Sequence, residues 1–378
     1  MNGFTFTLPE NGRLICIADC HGNYVLLRRL INRLDLQPQD TLAILGDFSN
    51  KGWGNLSCTA YLMYLEKARP RTFIFAGNGE YRNIRYFLEG DRDWILKYLK
   101  KWPTRNIYLE WAAECGFSTV TEDNFEEAHA AILDCFGDMM RWVRDLPLFA
   151  YNDRYLLVHS GLETLPEDGT ADPSCIENDF LQNETNRTGR WEIVGHYPVA
   201  NLYPGQMNPL VRADEHVIGI DGGVNTLRLE QLNALICTPD GFYYTFEDSD
   251  EAHVIAQDYA PQPLDRPPLI QKWPDVYVDV IRRDSSFSLC RSLQGREGYV
   301  KNECLVQDDK GLRMAKSTLA ELLPVHAGEI VKLLDASSED YWFVKNKAGL
   351  MGYVPKSAVG DPVKLDAPFA GILPLTSI

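Results

Sequence analysis

The first two thirds of the chain alternate short apolar runs with longer stretches in which apolar residues recur at helical spacing. The runs are too short for helices and several are bounded by glycine, which is typical of buried strands. The predicted strands cover residues 14–18, 42–45, 72–75, 155–158, 192–194 and 217–220, and helices are predicted over 24–34 and most of 84–145. Strands separated by helices predict an α/β fold with a sheet covered on both faces.

The pattern changes after residue 247, where an acidic stretch and the proline-rich segment 261–268 precede an internal repeat. A shift of 54 residues maps Phe287 onto Tyr341 and Gly298-Tyr299-Val300 onto Gly352-Tyr353-Val354. Two copies with short β-type runs predict two small five-stranded barrels, since a solenoid would need more repeats. The predicted domains are 1–248, 249–308 and 309–362, followed by a tail at 363–378.

Polar side chains follow each of the six predicted strands. They are Asp19 with His21, then Asp47, Asn78, His159, His196 and Asp221, in chain order. Because ligands bind beyond the carboxyl ends of strands in open α/β sheets, these side chains are expected to meet at one place. Glycines beside nearly every one allow the tight turns that such a site requires.

These ligand types suit manganese, iron or zinc rather than a soft thiolate site. Two such ions, about 3.5–4 Å apart, can clamp the attacking and leaving oxygens of a phosphoryl group. They also lower the pKa of a bridging water, and Asp47 is the candidate carboxylate between them. A single His or Asp at a strand end is more often a cap or a hydrogen-bonded core residue, and we interpret His129, His216, His253 and His326 in that way. Six coincident positions favour metal binding for the others.

Composition limits the partners. The 378 residues carry 53 Asp and Glu against 37 Lys and Arg, a net charge of −16, which disfavours nucleic acids and anionic membranes. No run approaches the roughly 20 apolar residues that cross a bilayer. No signal peptide is visible, and nine scattered cysteines without a C-x-x-C pair indicate reduced thiols. A cytoplasmic location is therefore predicted.

The ligand residues fall in a recognisable series of motifs. These are Ala18-Asp19-Cys20-His21-Gly22, Gly46-Asp47-Phe48-Ser49-Asn50-Lys51-Gly52, Gly77-Asn78-Gly79-Glu80, His159-Ser160-Gly161-Leu162 and Gly195-His196. The series resembles the phosphoprotein phosphatase branch of the calcineurin-like metallophosphoesterases, especially its bacterial members, over about residues 12–245. The resemblance implies a β-sandwich flanked by helices, with Asp19, His21 and His196 on one metal ion, Asn78 and His159 on the other, and Asp47 bridging.

The chain departs from the family pattern at three positions. The histidine that would protonate the leaving group is Gly79, and the aspartate that would pair with it is Asn50. The phosphate-binding arginine is Lys51, which keeps the charge and loses the bidentate fork. By resemblance, Asp47, Lys51 and Asn78 are the predicted catalytic residues, and Lys51, Asn50 and Arg82 bind substrate. The family's later phosphate-clamping arginine has no clear match, with three candidates at Arg187, Arg190 and Arg212.

Two functions stay open on these residues. The first is a phosphoesterase that uses a dinuclear metal-activated hydroxide on phosphomonoesters or phosphoanhydrides of nucleotides, phosphoproteins or small molecules. General acid catalysis contributes roughly two to four orders of magnitude, so its loss predicts a bias toward leaving groups of low pKa. The alternative is an impaired pseudophosphatase that acts as a binding or regulatory protein through its two C-terminal modules.

The C-terminal repeats resemble Src-homology-3 domains, which often bind proline-rich peptides on an aromatic groove. The second copy retains Tyr341, Tyr353 and Pro355, whereas Ala358 replaces an expected tyrosine. The aromatic groove of the first copy likewise lacks expected residues. Intramolecular packing of these modules is therefore preferred over recognition of proline-rich peptides.

Overall fold

The computed structural model describes residues 2–183, 185–203, 206–226, 231–248, 251–262, 264–269, 275–314, 321–365 and 371–376. Within these ranges the helices are α1 (Tyr24–Arg33), α2 (Asn55–Ala68), α3 (Asn78–Glu89), α4 (Arg92–Lys101), α5 (Ile107–Glu114), α6 (Phe125–Arg144) and α7 (Phe180–Asn183). None of these helices combines the length and the apolar character required to cross a bilayer.

The strands of the N-terminal part are β1 (Gly3–Thr5), β2 (Leu14–Ile17), β3 (Thr41–Ile44), β4 (Thr72–Ile74), β5 (Phe149–Tyr151), β6 (Tyr155–Val158), β7 (Trp191–Val194), β8 (Leu210–Arg212), β9 (Val217–Gly219), β10 (Gln231–Thr238) and β11 (Gly241–Asp248). Those of the C-terminal part are β12 (Ala252–Ile255), β13 (Val278–Arg283), β14 (Phe287–Ser292), β15 (Glu297–Lys301), β16 (Leu305–Asp308), β17 (Gly311–Met314), β18 (Ile330–Asp335), β19 (Tyr341–Asn346), β20 (Met351–Pro355), β21 (Val359–Val363) and β22 (Leu373–Pro374).

Two six-stranded sheets contain the strands of the N-terminal part together with β22. Their strand orders are β1-β5-β6-β7-β9-β8 and β22-β11-β10-β2-β3-β4. Strands β2, β3 and β4 run parallel in one sheet, and β6, β7 and β9 run parallel in the other. The mixed α/β architecture that the apolar runs predicted is therefore present.

The two faces of each sheet are buried against different partners. In β2, Leu14 and Cys16 pack into a core shared with strands of the other sheet, whereas Ile15 and Ile17 pack into the core beneath the helices. Because side chains alternate along a strand, a strand buried on both faces is apolar at every position. This explains why the strands were visible in the sequence as continuous apolar runs.

The C-terminal part contains a five-stranded sheet in the order β20-β19-β18-β12-β21, a three-stranded sheet β13-β14-β15 and the hairpin β16-β17. The 54-residue repeat appears as elements at the same offset, since β14 and β15 correspond to β19 and β20 in length and position. Strand β12, just after the N-terminal part, pairs with β18 and β21. The described strands do not close into a barrel, so the Src-homology-3 likeness and the predicted domain boundaries stay predictions.

Aromatic side chains of both repeats are packed together. Phe287 is 7% exposed, and its ring centroid lies 5.5 Å from that of Tyr341 and 5.6 Å from that of Tyr353. The same apolar cluster includes Ala200 and Met207 of the N-terminal part. The two repeats and the sandwich therefore share one core region.

Candidate metal centre

The predicted ligands lie at neighbouring strand ends of the two sheets. Asp19 and His21 follow β2, Asp47 follows β3, and Asn78 begins α3 just after β4. His159 and His196 follow the adjacent parallel strands β6 and β7 of the other sheet. The carboxyl ends of parallel strands meet at one edge, and here the edges of both sheets contribute to one site.

One group of ligand atoms surrounds the Asn78 amide. Its Oδ1 lies 3.2 Å from His159 Nε2 and 3.1 Å from His196 Nδ1. His159 Nε2 is also 3.7 Å from Asp47 Oδ1. The His196 ring thus lies with Asn78 and His159, while the backbone N–H of His196 donates to Asp19 Oδ2 at 2.9 Å.

A second group lies on the other side of Asp47. His21 Nε2 is 3.6 Å from Asp19 Oδ1 and 3.8 Å from Asp47 Oδ2. Asp47 therefore presents one carboxylate oxygen to each group, which is the geometry that a bridging ligand requires. Ligand atoms of Asp19, Asp47 and His159 all lie within 4.8 Å of one another, and the three residues are buried.

Four of these residues have left-handed backbone conformations. The φ angles are 55° at Asp19, 42° at His21, 46° at Asp47 and 66° at His196. For a residue with a Cβ this region is disfavoured by roughly 1–2 kcal/mol, and such strain concentrates at functional sites. The turns are held by backbone hydrogen bonds, including His21 N–H to Asp47 O at 2.9 Å. Strained turns thus aim side chains from different strands at one point.

Glu80 stabilises the loops that carry the ligands. Its buried carboxylate accepts hydrogen bonds from the backbone N–H groups of Asp47, Ser49 and Gly77 at 2.9, 2.9 and 3.1 Å. Burial, and next the charge of Asp47, raises the pKa of Glu80 to about 7. Sequence reasoning did not assign this role, although a glutamate three residues after the N-cap Gly77 of α3 is the signal of a capping box.

The three histidines are in the protonation state that metal ligation requires. Burial lowers the pKa of His21, His159 and His196, and that of His196 falls to about 3. His159 Nδ1 lies 2.6 Å from the carbonyl oxygen of Leu45, to which it donates, so its Nε2 keeps a free lone pair. Neutral imidazoles held by a hydrogen bond to the second nitrogen are the usual metal ligands.

Three carboxylates are buried together at this edge. Burial, and then the charges of Asp221 and Asp47, raises the pKa of Asp19 well above its usual value. The pKa of Asp221 is raised to about 7 by burial, and its Oδ2 has no hydrogen-bond partner among the described residues. Bound cations would relieve this concentration of negative charge, so the donor set fits divalent metal ions. The sequence predicts Asp221 as a strand-end residue at this site and does not assign it to a metal ion.

Lys51 reaches into the centre. Its Nζ lies 3.1 Å from His21 Nε2 and 3.8 Å from Asp47 Oδ2. The ammonium therefore sits beside the ligand group of Asp19 and His21, where it can also meet a phosphate oxygen.

The other two predicted substrate-binding residues make structural contacts. Asn50 Oδ1 accepts hydrogen bonds from the Tyr98 hydroxyl at 3.1 Å and the Ile107 N–H at 3.2 Å. The Arg82 guanidinium donates to Glu177, with Nε to Oε1 at 2.5 Å. Both residues line a cleft beside the centre, but their side chains already have hydrogen-bond partners.

Gly79 leaves no room for an undisturbed side chain. A Cβ at this position would lie 3.0 Å from Asp47 Oδ1, the atom to which the Gly79 N–H donates at 2.7 Å. The backbone of residue 79 thus holds the candidate bridging carboxylate.

A cleft of about 1110 Å³ opens from Asp47 and Asn78 between α3, α4 and the loop after β3. The three arginines considered for a later phosphate clamp do not line the described cleft. Arg190 donates to the carbonyl oxygens of Asn152 and Thr188, and Arg212 pairs with Glu215. None of these contacts places them at the centre.

No protein-family model and no curated protein matches the chain. Solved structures do. A protein assigned provisionally as a diadenosine tetraphosphatase is 17% identical, with a TM-score of 0.43, covering 65% of this chain and 97% of that one. A protein serine/threonine phosphatase from Saccharomyces cerevisiae is 14% identical (TM-score 0.38; 63% and 76% covered), and so is a metallophosphoesterase from Sphaerobacter thermophilus (TM-score 0.33; 63% and 88% covered). These likenesses are weak.

Proposed function

We propose that this protein is a metal-dependent phosphoesterase that hydrolyses phosphomonoesters or phosphoanhydrides. The observation that carries the proposal is the buried cluster of Asp19, Asp47 and His159, extended by the ring nitrogens of His21 and His196. Asn78 completes the set with an amide oxygen. Two divalent ions, manganese by preference and iron or zinc as alternatives, would supply Lewis acidity and a hydroxide nucleophile at this donor set when bound.

The chain's own residues divide the remaining work. Asp47 presents its two oxygens to the two ligand groups, and Asn78 places its amide oxygen beside the ring nitrogens of His159 and His196. Lys51 provides a positive charge at the cleft side of the centre, where it stabilises the charge on a phosphoryl group. Asn50 positions the loop that carries Lys51, and Arg82 borders the substrate path.

The substrate preference follows from Gly79. No side chain at this position can donate a proton to the departing oxygen, so that oxygen must leave as an anion. Aryl phosphates and phosphoanhydrides, whose leaving groups have low pKa values, are therefore the proposed substrates. Alkyl esters such as serine phosphate are expected to react slowly.

The test is hydrolysis of 4-nitrophenyl phosphate with added Mn²⁺, together with measurement of bound metal. Asp47→Asn should abolish turnover and reduce the metal content, while Asp93→Asn, at a side chain 93% exposed, should change neither. Equal activity in Asp47→Asn and the unchanged chain would overturn the proposal.

The lost proton donor also supports a second candidate, a metal-bound pseudophosphatase with a binding or regulatory role. This candidate predicts that the chain binds Mn²⁺ and phosphate without turning over either aryl phosphates or phosphoanhydrides. Turnover that is lost in Asp47→Asn decides against it.

For the C-terminal repeats we propose intramolecular packing rather than recognition of proline-rich peptides. The support is the burial of Phe287, Tyr299 and Tyr353, which are 7%, 2% and 4% exposed. Rings that are this inaccessible offer little surface to a peptide. Titration of the full chain with a proline-rich peptide should show no saturable binding, and binding weakened by Tyr341→Ala would contradict the proposal.

A further inference from the structure

The cleft beside the metal centre is basic although the protein is strongly acidic. Among the described residues that line it, seven are Lys or Arg and three are Asp or Glu. One of the three acids, Asp47, belongs to the candidate metal centre. Against a chain charge of −16, this concentration of positive charge indicates that the cleft attracts anions.

Three of the cations stand apart from the others. Within the ranges that the structure describes, no carboxylate lies within 4 Å of Lys97, Lys101 or Arg105, whereas Arg82 and Arg85 are paired with acids. Lys97 and Lys101 are one helical turn apart on α4, which places their backbones about 6 Å apart along one face. The charges of these three side chains are thus available to a ligand.

Two of these cations lie over aromatic rings. The Lys101 ammonium lies 5.6 Å from the Trp102 ring centroid, and the Arg105 guanidinium lies 5.1 Å from that of Trp53. Such contacts favour these positions of the cations and leave their charge unneutralised.

A hydrogen bond connects helix α4, which carries Lys97 and Lys101, to the loop that reaches the metal centre. Tyr98, between the two lysines on α4, donates its hydroxyl to Asn50 Oδ1 at 3.1 Å. Asn50 precedes Lys51, whose ammonium reaches His21. The Tyr98 ring also stacks on Trp94, with centroids 5.2 Å apart and planes 9° from parallel. Helix α4 therefore forms a wall of the cleft that begins at Asp47.

We propose that Lys97, Lys101 and Arg105 form a second anion subsite, which binds a further phosphate on the substrate besides the one that is hydrolysed. The inference rests on the proposed function and narrows its substrate class to small molecules with two or more phosphates. A cleft of about 1110 Å³ has room for a small molecule. Outside the cleft, the net negative charge repels long polyanions such as nucleic acids.

The experiment compares two inhibitors of 4-nitrophenyl phosphate hydrolysis, inorganic phosphate and inorganic triphosphate, with Mn²⁺ kept in excess of both. The quantity measured is the ratio of their inhibition constants. In the unchanged chain, triphosphate should bind about tenfold or more tightly than phosphate, because only triphosphate reaches the second subsite. In the double variant Lys97→Glu with Lys101→Glu, the ratio should fall to about one to three.

A charge-matched control is available on the same helix. Lys100 is exposed on α4 and does not line the cleft, and Lys67 lies at the exposed end of α2. The variant Lys67→Glu with Lys100→Glu changes the net charge equally and should keep the original ratio. An equal loss in both variants, or a ratio near one in the unchanged chain, would overturn the subsite. Absence of any hydrolysis in the unchanged chain would instead count against the proposed function.

Discussion

At the scale of single residues, Gly79 and Asn50 are the two departures from the family pattern that concern protonation of the leaving group. The resemblance places a proton-donating histidine at residue 79 and its partner aspartate at residue 50. In the structure, Gly79 uses its backbone N–H to hold Asp47, and Asn50 accepts hydrogen bonds from α4 and α5. Both positions therefore have a structural role in this chain, and the acid pair can be introduced there by substitution.

We predict that Gly79→His combined with Asn50→Asp increases kcat/KM on an alkyl phosphate by about 100-fold and on 4-nitrophenyl phosphate by less than about threefold. The alkoxide needs the proton and the nitrophenolate does not. The introduced Cβ must displace Asp47 Oδ1 by a few tenths of an ångström, since it would otherwise lie 3.0 Å away. Gly79→Ala controls for that displacement. The same gain on both substrates would show that proton donation was not the missing step.

Lys51 allows a second test at this scale, read out by metal binding rather than by turnover. Its ammonium lies 3.1 Å from His21 Nε2 and 3.8 Å from Asp47 Oδ2, and a positive charge there opposes a divalent cation. Lys51→Met should therefore bind Mn²⁺ about tenfold more tightly in calorimetric titration. Lys97→Met removes a positive charge from the same cleft and is the control. Unchanged or weaker binding in Lys51→Met would contradict the prediction.

At the scale of secondary structure, the parallel strands and the candidate ligands could be predicted together for one physical reason. Strand β2 is buried on both faces and apolar throughout, so Asp19, the polar residue that follows it, stands out. Strand β10 lacked this contrast because it buries polar residues. Its Asn233 donates to the carbonyl oxygens of Met207 and Ile220, partners that sequence spacing does not reveal.

Helix α2 was missed for a related reason. Its buried side includes Asn55 and Thr59 beside Cys58, Leu62 and Leu65, so its apolar residues do not mark one face. Asn55 is held by Glu110 of α5, a contact 55 positions away along the chain. Glu80 was missed for the same reason. Its sequence position indicates only a helix N-terminus, whereas its carboxylate binds the backbone N–H groups of Asp47 and Ser49, more than 30 positions away. Long-range satisfaction of buried polar groups is what the sequence pattern could not predict.

Glu192 of strand β7 allows a stability test of how a buried polar group affects the fold when one of its oxygens lacks a partner. Glu192 is fully buried, its Oε1 accepts from the Leu162 N–H at 2.6 Å, and its Oε2 has no partner among the described residues. Burial raises its pKa well above the usual value. A carboxyl whose folded pKa is raised stabilises the fold fully below its unfolded pKa, and this contribution is lost as the pH rises toward the folded pKa.

Glu192→Gln should therefore change stability in a pH-dependent way. Relative to the unchanged chain, the variant should gain on the order of 1–3 kcal/mol in unfolding free energy between pH 4 and pH 8, measured by urea denaturation. Glu114→Gln, at an exposed position of α5, should show no such trend. A difference between Glu192→Gln and the unchanged chain that stays constant with pH would exclude this account.

At the scale of the whole molecule, a buried polar cluster joins the sandwich to the C-terminal sheet. Asp248, at the end of β11, pairs with Lys332 of β18 and with Lys345 of β19, the latter at 2.9 Å. Lys345 also donates to Gln231 of β10 and lies 3.9 Å from the Phe246 ring centroid. These three charged residues are 1–3% exposed, so the C-terminal part attaches through charges that water does not reach.

Breaking one side of a buried ion pair is far more costly than removing the whole pair, because the remaining charge loses its partner. We therefore predict that Asp248→Asn lowers the unfolding free energy by about 3–5 kcal/mol, since Lys332 and Lys345 then share a neutral amide. Asp240→Asn, at the exposed turn between β10 and β11, should leave stability unchanged. The measurement is chemical denaturation of the full chain, with hydrolysis of 4-nitrophenyl phosphate as the readout of the folded state. If the cluster joins the two parts, Asp248→Asn will unfold at a lower denaturant concentration than the unchanged chain, and Asp240→Asn will not. If Asp248→Asn unfolds at the same concentration as the unchanged chain, the cluster does not stabilise the junction.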